Sequence, residues 1–285
     1  MFQKKILVLG GSGTIGHAII SSVAQFKSNI SYTSVSRLID SNSIPRTELD
    51  LTKPICFDDF FALENDVIVF AAGLDASDLS NQKGLLFMEN ERSLLTRALE
   101  MGKKVIYFSS SRVAQFLESG SYFFDTQMMN YIEHKIEIER ICGNFETATV
   151  IRPGKVISKN LSLYRVWSEK LAVGDSISVS SKVMCNPVHI LDLTEVAVRC
   201  IIENHPGLHE VWCFDQLSYL DIAKLFFNKI ALESEFEVFF HDTNLSIPGI
   251  TRRPNMNEAN SWMKLAWESS AGVFQNTLDE YLSLP

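Results

Sequence analysis

Two residues with the means to move a proton stand one helical turn apart. Tyr131 and Lys135, in Tyr131-Ile-Glu-His-Lys135, form the only Tyr-x-x-x-Lys of the chain, and four-residue spacing on a helix projects both side chains from one face. An ammonium beside a phenol favours the phenolate, so the tyrosine can give or take a proton at a carbonyl or alcohol oxygen. The spacing alone is a weak sign, because such pairs arise by accident on many surfaces. Its weight comes from what else the sequence holds.

Gly10-Gly11-Ser12-Gly13-Thr14-Ile15-Gly16 carries glycines at G-x-x-G-x-x-G spacing, directly after an apolar run and at the start of a helical segment. Gly10 permits a tight turn, Gly13 lets the backbone approach a pyrophosphate, and Gly16 allows helix and strand to pack closely. Thr14 and Ile15 then sit at the positive helix N-terminus, where phosphates bind. Phe108-Ser109-Ser110-Ser111 closes another apolar run, and its hydroxyls can orient a reacting oxygen at the carboxyl edge where open α/β sheets bind ligands. The strand ending Ser34-Val35-Ser36-Arg37 should reach the adenosine ribose. There a guanidinium and a serine hydroxyl suit a 2′-phosphate, whereas NAD calls for a carboxylate on the 2′-hydroxyl. Ser36 and Arg37 therefore favour NADP, with Asp40 as the residue that would serve NAD instead.

These groups need a parallel sheet to hold them. Short β-rich runs at Ile6–Leu9, Ser31–Ser36, Val67–Ala71, Val105–Phe108 and Ala148–Ile151 alternate with segments of helical period at Thr14–Phe26, Leu85–Met101 and Met128–Cys142. That alternation predicts βαβ units in a doubly wound α/β Rossmann sheet, and runs without polar alternation predict burial on both faces. On the last helix, Ile132, Ile136 and Cys142 read as the apolar face against charged Glu133, Lys135, Glu137, Glu139 and Arg140. After Arg152-Pro153-Gly154 the pattern loosens, so residues 1–153 read as the dinucleotide-binding domain and 154–285 as a smaller, interleaved substrate-binding lobe. Segments near 186–215, with short strands at Val188–Ile190 and His209–Phe214, complete the sheet. Ser218-Tyr-Leu-Asp221 has capping-box spacing before the apolar helix around Ile222–Phe227.

Composition narrows the functions. The 285 residues are 46% hydrophobic and 21% charged, with a net charge of −8, which suits a globular domain and supplies no basic surface for nucleic acid. The longest apolar runs fall far below the roughly 20 residues that span a bilayer, so no membrane partner is expected. The five cysteines are scattered without C-x-x-C and read as reduced thiols of a cytoplasmic protein. The six histidines lack ligand spacing, and no metal site is expected. The tryptophans and paired phenylalanines, among them Trp167, Trp212, Phe226, Phe227, Phe239 and Phe240, read as core.

With these motifs together, the chain resembles the extended short-chain dehydrogenase/reductase family of nucleotide-sugar epimerases, dehydratases and reductases over nearly its whole length. Leu49-Asp50-Leu51-Thr52 is similar to the family's adenine-holding Asp-Leu segment, and Phe70-Ala71-Ala72-Gly73 to its cofactor-lining alanines. Ile151-Arg152-Pro153-Gly154, Asn186-Pro-Val-His189-Ile-Leu-Asp192 and Arg253-Pro254 match further family segments. The resemblance implies Tyr131 as acid/base, Lys135 as its cationic partner and ribose contact, and Ser110 or Ser111 as the hydrogen bond to the substrate oxygen. It implies Gly10, Gly13, Thr14, Ile15, Gly16, Ser36, Arg37, Asp50, Leu51, Ala71, Ala72 and Gly73 around the cofactor, and Arg252, Arg253 and Asn186 around the substrate.

Family chemistries divide on the residues after the catalytic hydroxyl. Dehydratases carry an acid pair there, and this chain has Ser111-Arg112 or Arg112-Val113, which disfavours dehydration. The expectation is an NADP(H)-dependent ketoreduction of a nucleotide-activated sugar of bacterial polysaccharide pathways. An epimerase with tightly held NAD is the alternative, and a non-catalytic dinucleotide sensor or scaffold a second. By analogy the helices matching Leu85–Met101 and Met128–Cys142 would pair in a homodimer.

Overall fold

The computed structural model describes residues 4–25, 30–36, 46–61, 63, 65–74, 76, 79, 81–120, 124–158, 162–213, 216–231, 240–242, 246–247 and 249–250. Arg37, Asp40, Phe239, Arg252, Arg253 and Pro254 lie outside them.

The chain runs β1 (Lys4–Leu9), α1 (Thr14–Gln25), β2 (Ile30–Ser36), β3 (Arg46–Glu48), α2 (Phe57–Phe61), β4 (Val67–Phe70), α3 (Gln82–Glu100), β5 (Lys104–Phe108), α4 (Ser111–Ser119), α5 (Thr126–Cys142) and β6 (Ala148–Pro153). It continues through β7 (Lys155–Ile157), α6 (Ser162–Ala172), β8 (Ile177–Val179), β9 (Lys182–Cys185), β10 (Pro187–His189) and α7 (Ile190–Arg199), which passes into a π-helical turn at Cys200–Asn204. Then come β11 (Gly207–Val211), β12 (Leu217–Ser218), α8 (Tyr219–Ala231), β13 (Phe240–Asp242) and β14 (Ser246–Ile247). Each of the first-half strands and helices read from periodicity is present, with ends moved by a few residues. The short β3, α2 and α4 carry too few residues for a period to show.

The main sheet has the order β11-β6-β5-β4-β1-β2-β3, and β1 through β6 pair in parallel. This is the doubly wound Rossmann order, in which the winding reverses between β1 and β4. Reversal opens a crevice at the carboxyl ends of those strands. The core strands are apolar on both faces because helices cover both: Ile68, Val69, Phe70, Val105, Ile106 and Tyr107 are all fully buried.

The described residues divide into two compact units, one from Met1–Val113, Phe124–Arg152 and Thr194–His209, the other from Ala114–Phe123, Pro153–Leu193 and Glu210–Pro285. The first packs Leu7, Leu9, Ile68, Phe70, Leu94, Leu95 and Ile138 in its core. The second has a core of its own, in which Tyr164 stacks on Phe226 at 4.4 Å and 7° and Trp167 meets both Phe226 and Phe227. Its α8 begins with a reciprocal cap: Asp221 N–H donates to Ser218 Oγ at 3.0 Å, and Ser218 N–H donates to Asp221 Oδ2 at 3.0 Å.

Candidate functional site

The glycine segment leaves β1 at the crevice. Gly10 has φ +80° and donates its N–H to the Val35 carbonyl at 2.8 Å, and a Cβ there would lie 2.5 Å from the Ala72 backbone. Gly13 N–H returns to the Gly10 carbonyl at 2.9 Å, while the Gly13 carbonyl accepts the His17 N–H that starts α1. A Cβ on Gly16 would lie 2.3 Å from the Gly10 carbonyl oxygen, so only glycine lets α1 begin this close to the turn. Ser12, Gly13 and Thr14 remain exposed, Ile15 is half-buried, and α1 has no acidic residue in its first turn. Its unpaired N–H groups are therefore open to an anion.

A groove runs along this edge, lined by Gly10, Ser12 and Gly13, by Val35, by Leu49–Thr52, by Ala71–Leu74 and by Phe87. Its walls are braced. Ala71 N–H donates to the Leu9 carbonyl at 3.0 Å, and nothing lies within 4 Å of where a Cβ on Gly73 would sit, so that position is open space at the groove. Asp50 Oδ1 accepts from Thr52 N–H at 3.0 Å and from Thr52 Oγ at 2.7 Å. Burial would raise the Asp50 carboxyl, but the Thr52 bonds and the Lys53 charge outweigh it and hold it below the usual carboxylate range. Asn90, buried on α3, donates to both the Leu51 and Lys53 carbonyls at 2.8 Å and so pins the turn that carries Asp50. An apolar slot with a glycine turn and an ionised carboxylate at its end fits an adenosine and pyrophosphate. Ser36 ends β2, one residue after Val35 of the lining.

Tyr131 and Lys135 lie on α5, which Asp125 caps by accepting the Met128 N–H at 2.8 Å. Tyr131 is half-buried, and Lys135 Nζ stands 5.8 Å from its ring centre. Lys135 itself is 5% exposed. Its ammonium donates to the Tyr107 hydroxyl at 2.7 Å and to the Phe108 carbonyl at 3.2 Å, at the end of β5. The sequence reading placed Lys135 on a charged face and Ile136 on the apolar one; the structure buries Ile132, His134, Lys135, Ile138 and Cys142 and leaves Ile136 half-buried. The helix turns its polar residues inward because partners wait there. His134 Nε2 meets Glu91 Oε2 of α3 at 2.6 Å, and Arg152 Nε grips Glu139 Oε1 at 2.9 Å. Neither Glu91 nor Tyr107 was singled out from the sequence, since a lone glutamate within an apolar helix carries no motif.

The serine segment turns from β5 into α4. Ser109 is buried and donates to Glu139 Oε1 at 2.5 Å. Ser110 Oγ accepts the Arg112 N–H at 3.2 Å, and Ser110 and Ser111 are half-buried. Tyr131, Lys135, Ser110 and Ser111 all belong to the unit that carries the groove.

Asn186 sits in the other unit, 3% exposed. Its Nδ2 donates to the Cys213 and Ile250 carbonyls at 3.2 Å each, and its Oδ1 accepts the Ile250 N–H at 2.8 Å. These bonds hold Asn186 to Ile250, which stands two residues before the Arg252-Arg253 pair in the sequence. Among the described residues no cluster of His, Cys, Asp and Glu could hold a metal ion, and no helix is long and apolar enough to cross a membrane.

A sequence profile of the NAD dependent epimerase/dehydratase family matches residues 6–182. No curated protein matches the chain. Among solved structures, the Bordetella bronchiseptica enzyme WbmH in complex with NAD+ shares the fold at TM-score 0.74 and 15% identity, covering 98% of each chain. The dTDP-4-dehydrorhamnose reductase of Yersinia enterocolitica aligns at TM-score 0.71 and 18% identity, covering 98% of this chain and 100% of its own. The Thermus thermophilus UDP-glucose 4-epimerase complex with NAD aligns at TM-score 0.72 and 13% identity, covering 99% of this chain and 100% of its own.

Proposed function

The chain belongs to the NAD-dependent epimerase/dehydratase family, a nicotinamide-dinucleotide enzyme of the extended short-chain dehydrogenase/reductase type, and from that premise we propose that it reduces a keto group on a nucleotide-activated sugar with NADPH. The observation that carries the reading is the Tyr131–Lys135 pair on α5, its ammonium bonded to the carbonyl of Phe108 where β5 gives way to the serine turn. When bound, the dinucleotide supplies the hydride. Tyr131 then gives its proton to the keto oxygen, and Ser110 or Ser111 donates a hydrogen bond to that oxygen as charge develops on it. Lys135 orients the phenol and reaches the nicotinamide ribose. Gly10, Gly13, Thr14, Ile15 and Gly16 hold the pyrophosphate by backbone N–H groups, Asp50, Leu51, Ala71, Ala72 and Gly73 hold the adenosine, and Ser36 and Arg37 take the 2′-phosphate. Arg252 and Arg253 grip the substrate pyrophosphate as forks of donors, and Asn186 supports the segment that carries them.

Leu85 on α3, 58% exposed, supports pairing of α3 and α5 with a second copy in a homodimer, and the scattered thiols support a cytoplasmic location. A specific observation also favours a second reading, epimerisation with retained NAD: the structures of WbmH and of the Thermus thermophilus epimerase hold NAD.

The deciding experiment is mass spectrometry of the small molecules released on denaturing freshly purified protein, quantified against protein, followed by turnover of NADPH with 4-keto-sugar nucleotides. An empty site or substoichiometric NADP, with NADPH oxidised by a keto-sugar nucleotide, is the expected result. Near-stoichiometric NAD overturns reduction in favour of epimerisation.

A further inference from the structure

Lys135 carries its charge into the protein interior. The residue is 5% exposed, and the two bonds of its ammonium go to neutral oxygens, the Tyr107 hydroxyl and the Phe108 carbonyl. The ring of Tyr107 lies beneath it, 4.5 Å from Nζ to the centroid. Among the described residues no carboxylate forms a direct salt bridge with it. A buried charge is strongly disfavoured without a counter-charge, so an anion close by is expected.

Glu91 is that anion. It is 0% exposed, inside α3, which packs on α5. Oε2 meets His134 Nε2 at 2.6 Å, and Oε1 has no partner at good hydrogen-bond geometry while the Tyr107 hydroxyl lies close enough to help hold the carboxyl ionised. Burial would raise this carboxyl, yet the Lys135 charge first, then His134 and Tyr107, hold it below its usual range. Tyr107 stays a neutral phenol, pushed far up by burial and by Glu91. Its hydroxyl accepts from Lys135 and stands near enough to Glu91 to favour the ionised carboxyl. A fully buried glutamate is expensive in a helix, and leucine would fill the place at less cost. What the charge adds here is a partner for the lysine beside Tyr131.

We propose that Glu91 is the buried counter-charge of Lys135 and, acting through the Tyr107 hydroxyl, a positioning residue for proton transfer at Tyr131. The catalytic consequence rests on the reading under Proposed function; the placement of Lys135 does not. Glu91 does not line the groove, so its loss reaches the ligands only through Lys135.

The test compares Glu91→Gln, which keeps the shape and removes the charge, with Tyr107→Phe, which leaves the Glu91–His134 bond in place, and with the double variant. Three quantities are read: kcat and KM with the keto-sugar nucleotide that wild type turns over, equilibrium affinity for NADPH, and the Lys135 side-chain ammonium signal in a proton–nitrogen correlation spectrum, assigned by its loss in Lys135→Arg. Each single variant is expected to lower kcat by at least about tenfold, as a misplaced reacting group does, with KM for the sugar within about twofold and NADPH affinity lowered by less than kcat, because Lys135 is also the ribose contact. The ammonium signal moves or broadens in both. Because the two residues act as one chain, the double variant is no slower than the worse single variant, and Glu91→Asp recovers part of the loss. Unchanged kcat in both single variants, losses that multiply in the double variant, or an ammonium signal indifferent to both substitutions overturns the proposal. If wild type turns over no nucleotide sugar, the functional reading fails and the ammonium signal alone decides the role of Glu91. If Glu91→Gln does not fold, Tyr107→Phe carries the test.

Discussion

Ser109 donates its hydroxyl to Glu139 Oε1 at 2.5 Å, and Arg152 Nε donates to the same oxygen at 2.9 Å. This shared oxygen occupies the Ser109 hydroxyl, so on the proposed reading the reacting serine is Ser110 or Ser111. Ser109→Ala is expected to cost about 1.5–3 kcal/mol of stability, the loss of a bond to a charged group, with kcat unchanged. Of Ser110→Ala and Ser111→Ala, one should lower kcat by about a hundredfold, as loss of an oxyanion donor does, with NADPH affinity intact. Thermal unfolding and steady-state kinetics on the three variants check this. Full turnover in both Ser110→Ala and Ser111→Ala would remove the serine turn from the mechanism.

Gly16 and Gly73 make opposite predictions from the same substitution. A methyl at Gly16 meets the Gly10 carbonyl oxygen at 2.3 Å, whereas one at Gly73 meets nothing within 4 Å. Gly16→Ala should therefore destabilise the protein by about 1–3 kcal/mol through overpacking and lose cofactor affinity with it. Gly73→Ala should leave the unfolding temperature of the ligand-free protein unchanged and weaken NADPH several-fold, because the methyl enters the groove. Thermal shift with and without NADPH separates the two; equal loss of stability in both would mean that Gly73 does not face the cofactor.

What the sequence displays and what it hides differ by physical cause. The Rossmann half was readable because its strands are buried on both faces and its glycines answer to a local need, such as the positive φ of Gly10. The Tyr131–Lys135 spacing is local too, fixed by one turn of helix. The surroundings of Lys135 were not readable: Glu91, Tyr107 and His134 come from two helices and a strand, and each looks ordinary in its own segment. A lysine next to Ile136 reads as surface until the opposing carboxylate is in place. In the second unit the Ser218–Asp221 cap, the helix it opens and the strand near 187–189 were legible, but that strand pairs with β7 in a separate sheet, and only β11 completes the main one. The unit's other short strands pair over long separations, as Ser246 does with Lys182, and leave no periodicity.

Asn186 ties the polypeptide at Cys213 to that at Ile250 through three bonds. Asn186→Ala leaves buried backbone groups without those partners and should cost about 2–3 kcal/mol, read as a lower urea midpoint. Since Ile250 leads into Arg252 and Arg253, KM for the nucleotide sugar should rise while kcat is retained. A raised KM with no loss of stability would instead place the amide directly on the ligand.

Lys104 supplies a prediction about alkaline pH. Its ammonium donates to the Ile201 carbonyl at 3.2 Å, and Lys4 donates to the same carbonyl at 2.8 Å. Burial, and then the Lys4 charge, lower Lys104 from 10.5 to about 8. In the unfolded chain it regains its ordinary value, so between about 8 and 10.5 the unfolded state binds more protons than the folded one. Stability must then rise with pH across that window as the folded protein sheds a strained charge, and below it the cost of that charge is carried in full. Lys104→Met should remove this upward slope and stabilise the protein at neutral pH, provided Lys4 alone suffices for the Ile201 carbonyl. Urea unfolding of wild type and variant across the window measures both effects, and parallel pH curves for the two proteins would show that Lys104 stays charged throughout.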